Sequence, residues 1–185
     1  MIPSPTKKDL LLPWIKAGYS LFAEEGPQGL KVEVIARRVS KSKSSFYHHF
    51  ADLEVFTEFL LDHHLKQSAH LAELEKECKN IDPELIELLV EVKEDLLFNR
   101  QLRFHRDNPN YKACFEKANE EVGEALLQVW ANDLGLEGNL HLAKNMFDLA
   151  LENFYLQINE ETLNKAWLSQ YFNQIKSTIS GIKNL

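Results

Sequence analysis

Apolar residues in this 185-residue chain recur at intervals of three and four almost from end to end, and no useful stretch alternates apolar with polar. A helix turns about 100° per residue, so this spacing gathers apolar side chains on one face, whereas a half-buried strand needs a period of two. The chain is therefore expected to be all-α. Ile15, Gly18, Tyr19 and Phe22 mark a first helix that Gly26 stops. Val32, Ile35, Ala36 and Val39 mark a short second helix, and Ser42 caps a third in which Phe46 and Phe50 share a face. Asp52 caps a long fourth helix running to about Cys78, with Phe56, Phe59, Leu60, Leu71 and Leu74 inward. Asp82-Pro83 and Asn108-Pro109 read as further starts, a cap followed by proline at the first helical position. Leu85, Leu88, Leu89, Val92 and Leu96 form one stripe behind the first of them. Tyr111, Phe115, Ala118, Val122, Ala125 and Val129 form another, ended by Gly135 and Gly138. Two more helices are expected at about 139–157 and 161–183.

Composition narrows the class. No apolar run approaches the ~18 residues of a membrane span. The opening Met1-Ile2-Pro3-Ser4-Pro5 lacks the basic and apolar regions of a secretory signal. With only Cys78 and Cys114, a cytoplasmic protein with reduced, inert thiols is expected. Net charge is −7, but it is unevenly placed: residues 1–50 carry +4 and residues 51–185 carry −11. A basic head on an acidic body points to a polyanion meeting the head alone, although a solvated face of a basic helix pair would look the same. No histidine pair stands four apart, no glutamate stands three before a histidine, and there is no phosphate loop, Gly-x-Ser-x-Gly or Cys-x-x-Cys. Neither an enzyme nor a metal or cofactor site is expected.

The sharpest signal lies in the second and third helices. Only Ser40-Lys41-Ser42 separates them, which forces the steep crossing of a helix-turn-helix. With Phe46 and Phe50 inward, Lys43, Ser44, Tyr47 and His48 point outward. A cation, small hydroxyls and longer hydrogen-bonding side chains on one ridge suit a DNA major groove.

The segment from Ile35 to Phe50, ending Phe46-Tyr47-His48-His49-Phe50, resembles the DNA-binding segment of the tetracycline-repressor (TetR) family of transcriptional regulators. Leu21-Phe22-Ala23-Glu24-Glu25-Gly26 resembles the end of that family's first helix. The resemblance covers about residues 14–60. It implies a DNA-binding domain over 1–51, with the helix-turn-helix at about 31–50, and an effector-binding and dimerisation domain over 52–185. It further implies a homodimer on a palindromic operator, most simply a repressor released by a small molecule. By the same resemblance Lys31, Lys41, Ser42, Lys43, Ser44, Ser45, Tyr47 and His48 meet bases or phosphates, and His49 lies at the phosphate edge or packs beside Phe50. Four positions depart from the family pattern. Ser40 and Ser44 stand where glycine is usual, Lys41 where an apolar residue is usual, and Leu53 where a phosphate-contacting lysine is usual. The alternative is a dimeric ligand-binding or protein-interaction module with a vestigial reader.

The last two helices carry apolar residues on more than one face, and such helices must be covered twice. Leu168, Phe172, Ile175, Ile179 and Ile182 form one stripe, and Leu163, Trp167 and Tyr171 another. In the preceding helix Ala143, Phe147, Ala150, Leu151, Phe154 and Ile158 lie on one face and Leu142, Met146, Leu149 and Leu156 on a second. A four-helix dimer interface using Phe147, Leu151, Leu168, Phe172, Ile175 and Ile179 is expected, or else central burial in one chain. Helices from about 82 to 134 are expected around an effector pocket. Its candidate lining residues are Phe98, Phe104, His105, Tyr111, Phe115, Trp130, Phe147 and Phe154, each also an ordinary core residue. Arg100, Arg103 and Arg106 could attract an anion or simply face solvent.

Overall fold

Capping chemistry and glycine placement divide the chain into helices. A computed structural model describes residues 7–183, with side chains from Leu10 to Gly181. The described residues form helices α1 (Lys7–Glu25), α2 (Val32–Arg38), α3 (Lys43–His49), α4 (Leu53–Glu75), α5 (Ile86–Glu91), α6 (Lys93–Phe104), α7 (Pro109–Asp133), α8 (Leu140–Gln157) and α9 (Lys165–Lys183), with no strand. The Ser42 side chain accepts the Ser45 N–H, Asp52 accepts that of Val55, and Asn108 accepts those of Asn110 and Tyr111. Each satisfies donors that a helix start leaves open.

Gly26, at φ 73°, turns the chain out of α1. Gly18 has another role: a Cβ there would lie 2.4 Å from the Phe56 ring, so only glycine allows α1 and α4 to approach this closely. Buried residues from α1 to α9 form one hydrophobic cluster. Within it Trp14, Phe46, Phe50 and Phe56 pack edge to face or tilted, at ring separations of 4.8–5.8 Å.

Several expectations need correction. Asp82 caps nothing: Asn80 does, accepting the Glu84 N–H, and the Asp82–Pro83 peptide is cis, inside a wide turn over Ile81–Leu85. Instead, the Asp82 carboxylate accepts the Ser169 hydroxyl of α9 at 2.6 Å. The stripe from Leu85 to Leu96 belongs to two helices, because Val92 leaves helical geometry (φ −95°, ψ 26°). Phe59 and Leu74 are not inward but 37% and 39% exposed, since the buried arc of α4 is narrow and both lie on its flank. Cys114 is buried and Cys78 half-buried, both as free thiols.

Candidate functional site

The end of α2 and the start of α3 build the reader. Val39 closes α2, and Ser40 then takes left-handed geometry at φ 54°. Ser40 N–H reaches the Arg37 carbonyl and Lys41 N–H the Ala36 carbonyl, so a serine completes the helix-ending motif that usually takes glycine. The reversed chain enters α3 two residues later. Phe46 is fully buried and Phe50 nearly so, which orients the opposite face outward. Lys43, Ser44 and His48 are exposed there, and Tyr47 is 56% exposed.

The remaining members of the predicted site take several environments. Lys31 and Lys41 are exposed and, like Arg37, have no ion-pair partner among the described residues. Lys43 stands 3.7 Å from Glu33, both of them exposed. Ser42 and Ser45 are turned toward each other across the cap, with oxygens 3.1 Å apart. His49 is half-buried, its ring 6.1 Å from Trp14 and 6.2 Å from Phe50. Arg38 instead bonds both carboxylate oxygens of Glu24, tying α2 to α1. Leu53, half-buried, packs against the core.

Deeper in the chain α4 to α9 and the Ile81–Leu85 turn line a largely apolar cavity of about 70 Å³. Of the aromatics proposed from sequence, Trp130, Phe147 and Phe154 line it. The others lie elsewhere: Phe98 is sealed between Tyr19, Phe22 and His64, Tyr111 sits against Phe22, and Phe115 packs against Tyr155. Phe104 is 44% exposed beneath the Arg100 guanidinium, and His105 hydrogen-bonds its own helix at Gln101. Arg103 and Arg106 pair with Glu152 of α8.

Sequence reasoning missed the polar members of the cavity wall, His64, Ser68, Glu75, Asp95, Asn99 and Tyr155. A usable signal existed, because His64, Ser68 and Glu75 continue the inward register of Phe56, Leu60 and Leu71. Several of them form a chain of hydrogen bonds across the molecule. The Tyr19 hydroxyl of α1 donates to Asp95 at 2.6 Å and meets His64 Nδ1 at 2.7 Å. His64 Nε2 lies 3.2 Å from Asn99 Oδ1, and Asn99 Nδ2 donates to Tyr155 and Asn119. Burial moves the His64 pKa down to about 4, so the ring is neutral near pH 7. Burial raises the Asp95 carboxyl, against a smaller lowering by the Tyr19 bond.

Three of the six residues predicted for the dimer interface are used up inside the protomer. Leu168 is fully buried, and Phe147 and Ile179 nearly so. Leu151, Phe172 and Ile175 are half-buried, and the Ile182 side chain lies outside the described residues, as do Met1–Pro5. The apolar surface left open is the other face of α8. Leu142, Leu149 and Leu156 are exposed, and a groove of about 360 Å³ runs between Met146 and Leu149 of α8 and Ile175 and Thr178 of α9.

A basic helix-turn-helix is joined by one long helix to an all-α body that holds a cavity. Residues 15–54 match the family model of bacterial regulatory proteins, tetR family. Among solved structures the chain is similar to a protein of Mesorhizobium loti MAFF303099 described as a TetR-family transcriptional regulator. Identity is 18% and the TM-score 0.62, over 97% of this chain and 98% of that one. A transcriptional regulator of the TerR/AcrR family from Aquifex aeolicus VF5 aligns with 19% identity and a TM-score of 0.63, over 94% and 99% of the two chains. A TetR-family protein from Rhodococcus sp. aligns with 19% identity and a TM-score of 0.53, over 96% and 97%. Among curated proteins none matches. The N-terminal segment is thus similar to the tetR family, and the whole chain shares the fold of these solved structures. No described helix is long and apolar enough to cross a membrane.

Proposed function

We propose that the protein is a homodimeric transcriptional regulator, a repressor, that binds a palindromic operator in the cytoplasm and is released by a small molecule held in the cavity. The observation that carries this reading is the exposed Lys43, Ser44, Tyr47 and His48 ridge, backed by buried Phe46 and flanked by Lys31, Arg37 and Lys41, cations without an ion-pair partner among the described residues. The N–H groups at the start of α3 add partial positive charge toward a phosphate.

One reader gives too small an interface for tight specific binding, whereas two on a two-fold axis reach successive major grooves about 34–36 Å apart. The open face of α8 supports pairing through Leu142, Leu149 and Leu156. α4, of 23 residues and so about 34 Å long, runs from the reader junction at Asp52 to the cavity wall at Glu75. The bonds from Tyr19 to His64 and Asp95 tie α1 to that wall. A ligand that favours another α4 tilt would change the separation of the two readers and lower operator affinity.

A mobility-shift titration with the DNA upstream of the protein's own gene, at stated salt and with competitor, tests the reading. The wild type is expected to bind specifically. The double variant Lys43→Ala, Tyr47→Ala is expected to lose the shift while keeping its helical circular dichroism. Equal binding by wild type and double variant would overturn the assignment of the ridge.

A further inference from the structure

Glu75 closes the last turn of α4, and its side chain is fully buried against the cavity. Neither of its carboxylate oxygens has a hydrogen-bond partner among the described residues. A buried carboxyl without partners is costly, and a protein that needed only packing there would do better with leucine or methionine. Among the described residues no lysine or arginine lines the cavity to neutralise it. The other titratable groups on the wall are His64 of α4, Asp95 of α6, Tyr155 of α8 and Tyr171 of α9. None of these is a cation near neutral pH: His64 is held neutral by burial, and burial pushes both tyrosines up. The rest of the wall is apolar or aromatic, with Trp130, Phe147, Phe154, Tyr155 and Tyr171 offering ring surface.

We propose that the cavity takes a compact lipophilic cation, an apolar ammonium ion whose charge meets Glu75 and whose hydrocarbon part fills the aromatic wall. An ammonium group supplies the donors that the carboxyl lacks. The ring faces add cation–π attraction, and the largely apolar surroundings strengthen both. A ligand without a donor, apolar or anionic, would leave the Glu75 carboxylate unsatisfied. Burial raises the Glu75 pKa to about 8, so the free protein holds a proton there that a bound cation displaces. The inference rests on reading the cavity as the effector site, and it names the class of ligand.

The test is calorimetric titration of the full chain with n-butyl- to n-octylammonium, the matching alcohols and the matching carboxylates. The best ammonium ion is expected to bind about tenfold or more tighter than its alcohol. It should release nearly one proton per site near neutral pH. E75Q, with E75L as a second variant of similar volume, is expected to remove that preference and the proton release. Equal affinity for ammonium and alcohol, tighter carboxylate binding, an ammonium preference that survives E75Q, or no ammonium binding across the series would each overturn the proposal. A parallel DNA titration separates it from the reading beneath it. Glu75-dependent ammonium binding with unchanged DNA affinity would leave the cation site standing and overturn effector release. Intact DNA binding without ammonium binding would overturn the cation site and leave the regulator standing.

Discussion

At the scale of single residues, two side chains stand in conformations or surroundings that their chemistry disfavours. Ser40 lies at φ 54°, where an L-residue with a Cβ is strained by about 1–2 kcal/mol and glycine is not. Part of that gain is offset by the greater freedom of glycine in the unfolded chain. S40G is therefore expected to stabilise the protein by about 0.5–1 kcal/mol in denaturant unfolding, with DNA affinity unchanged because the turn geometry is kept. Glu75 is the second. Its pKa rises from 4.5 to about 8 on folding, so the native state binds the proton more tightly than the unfolded one. Its contribution to stability is thus fully present below about 4.5 and is lost as pH climbs toward 8, by up to about 1.4 kcal/mol per pH unit. E75Q cannot ionise. The stability difference between E75Q and wild type is expected to grow in favour of the variant across that range and to level off above it, as denaturant unfolding at a series of pH values would record. Asp95 contributes a slope of the same sign, but it is present in both proteins and cancels.

Among elements, the junctions matter more than the helices. α1 approaches α4 closely only because Gly18 leaves room for the Phe56 ring, and it is tied to the cavity wall by one hydroxyl. Removing that hydroxyl leaves His64 Nδ1 and Asp95 Oδ1 without their shared partner, which costs about 1–3 kcal/mol for buried groups. Y19F is expected to lower stability by about that amount, to keep the DNA affinity of the free protein, and to weaken ligand-induced release in a mobility-shift titration. The helices themselves were largely legible, since the apolar spacing, the caps at Ser42, Asp52 and Asn108 and the stop at Gly26 are local features. The break at Val92 and the cap at Asn80 were not. An uninterrupted apolar stripe from Leu85 to Leu96 hides the break, and the aspartate before Pro83 is a stronger local cap signal than the asparagine two residues earlier.

For the whole molecule, the question is which apolar surface each chain keeps for itself. Leu149 is 65% exposed and Leu156 54% exposed, although both are large and apolar. If the open face of α8 forms the dimer, L149E places a charge in the seam without disturbing the protomer core. It is expected to sediment as a folded monomer at micromolar concentration and to lose most of its operator affinity, since a single reader remains. The sequence shows two apolar faces on each of the last two helices. It cannot rank them, because hydrophobicity does not say whether the covering surface belongs to the same chain. The protomer core took Phe147, Leu168 and Ile179 and left Leu142, Leu149 and Leu156 outside.

What the amino-acid order alone determined is everything that depends on neighbours three or four residues away: helical class, most helix ends, and the outward ridge of Lys43, Ser44, Tyr47 and His48 opposite Phe46 and Phe50. Those features arise from backbone geometry and side-chain periodicity, which act within one turn. Only the tertiary structure decided which inward-pointing residues meet a packed neighbour and which meet a cavity. Six helices from distant parts of the chain, with the Ile81–Leu85 turn, line the cavity beside Glu75. Whether a buried carboxyl finds a partner there depends on where all of them place their side chains, and no local pattern encodes that.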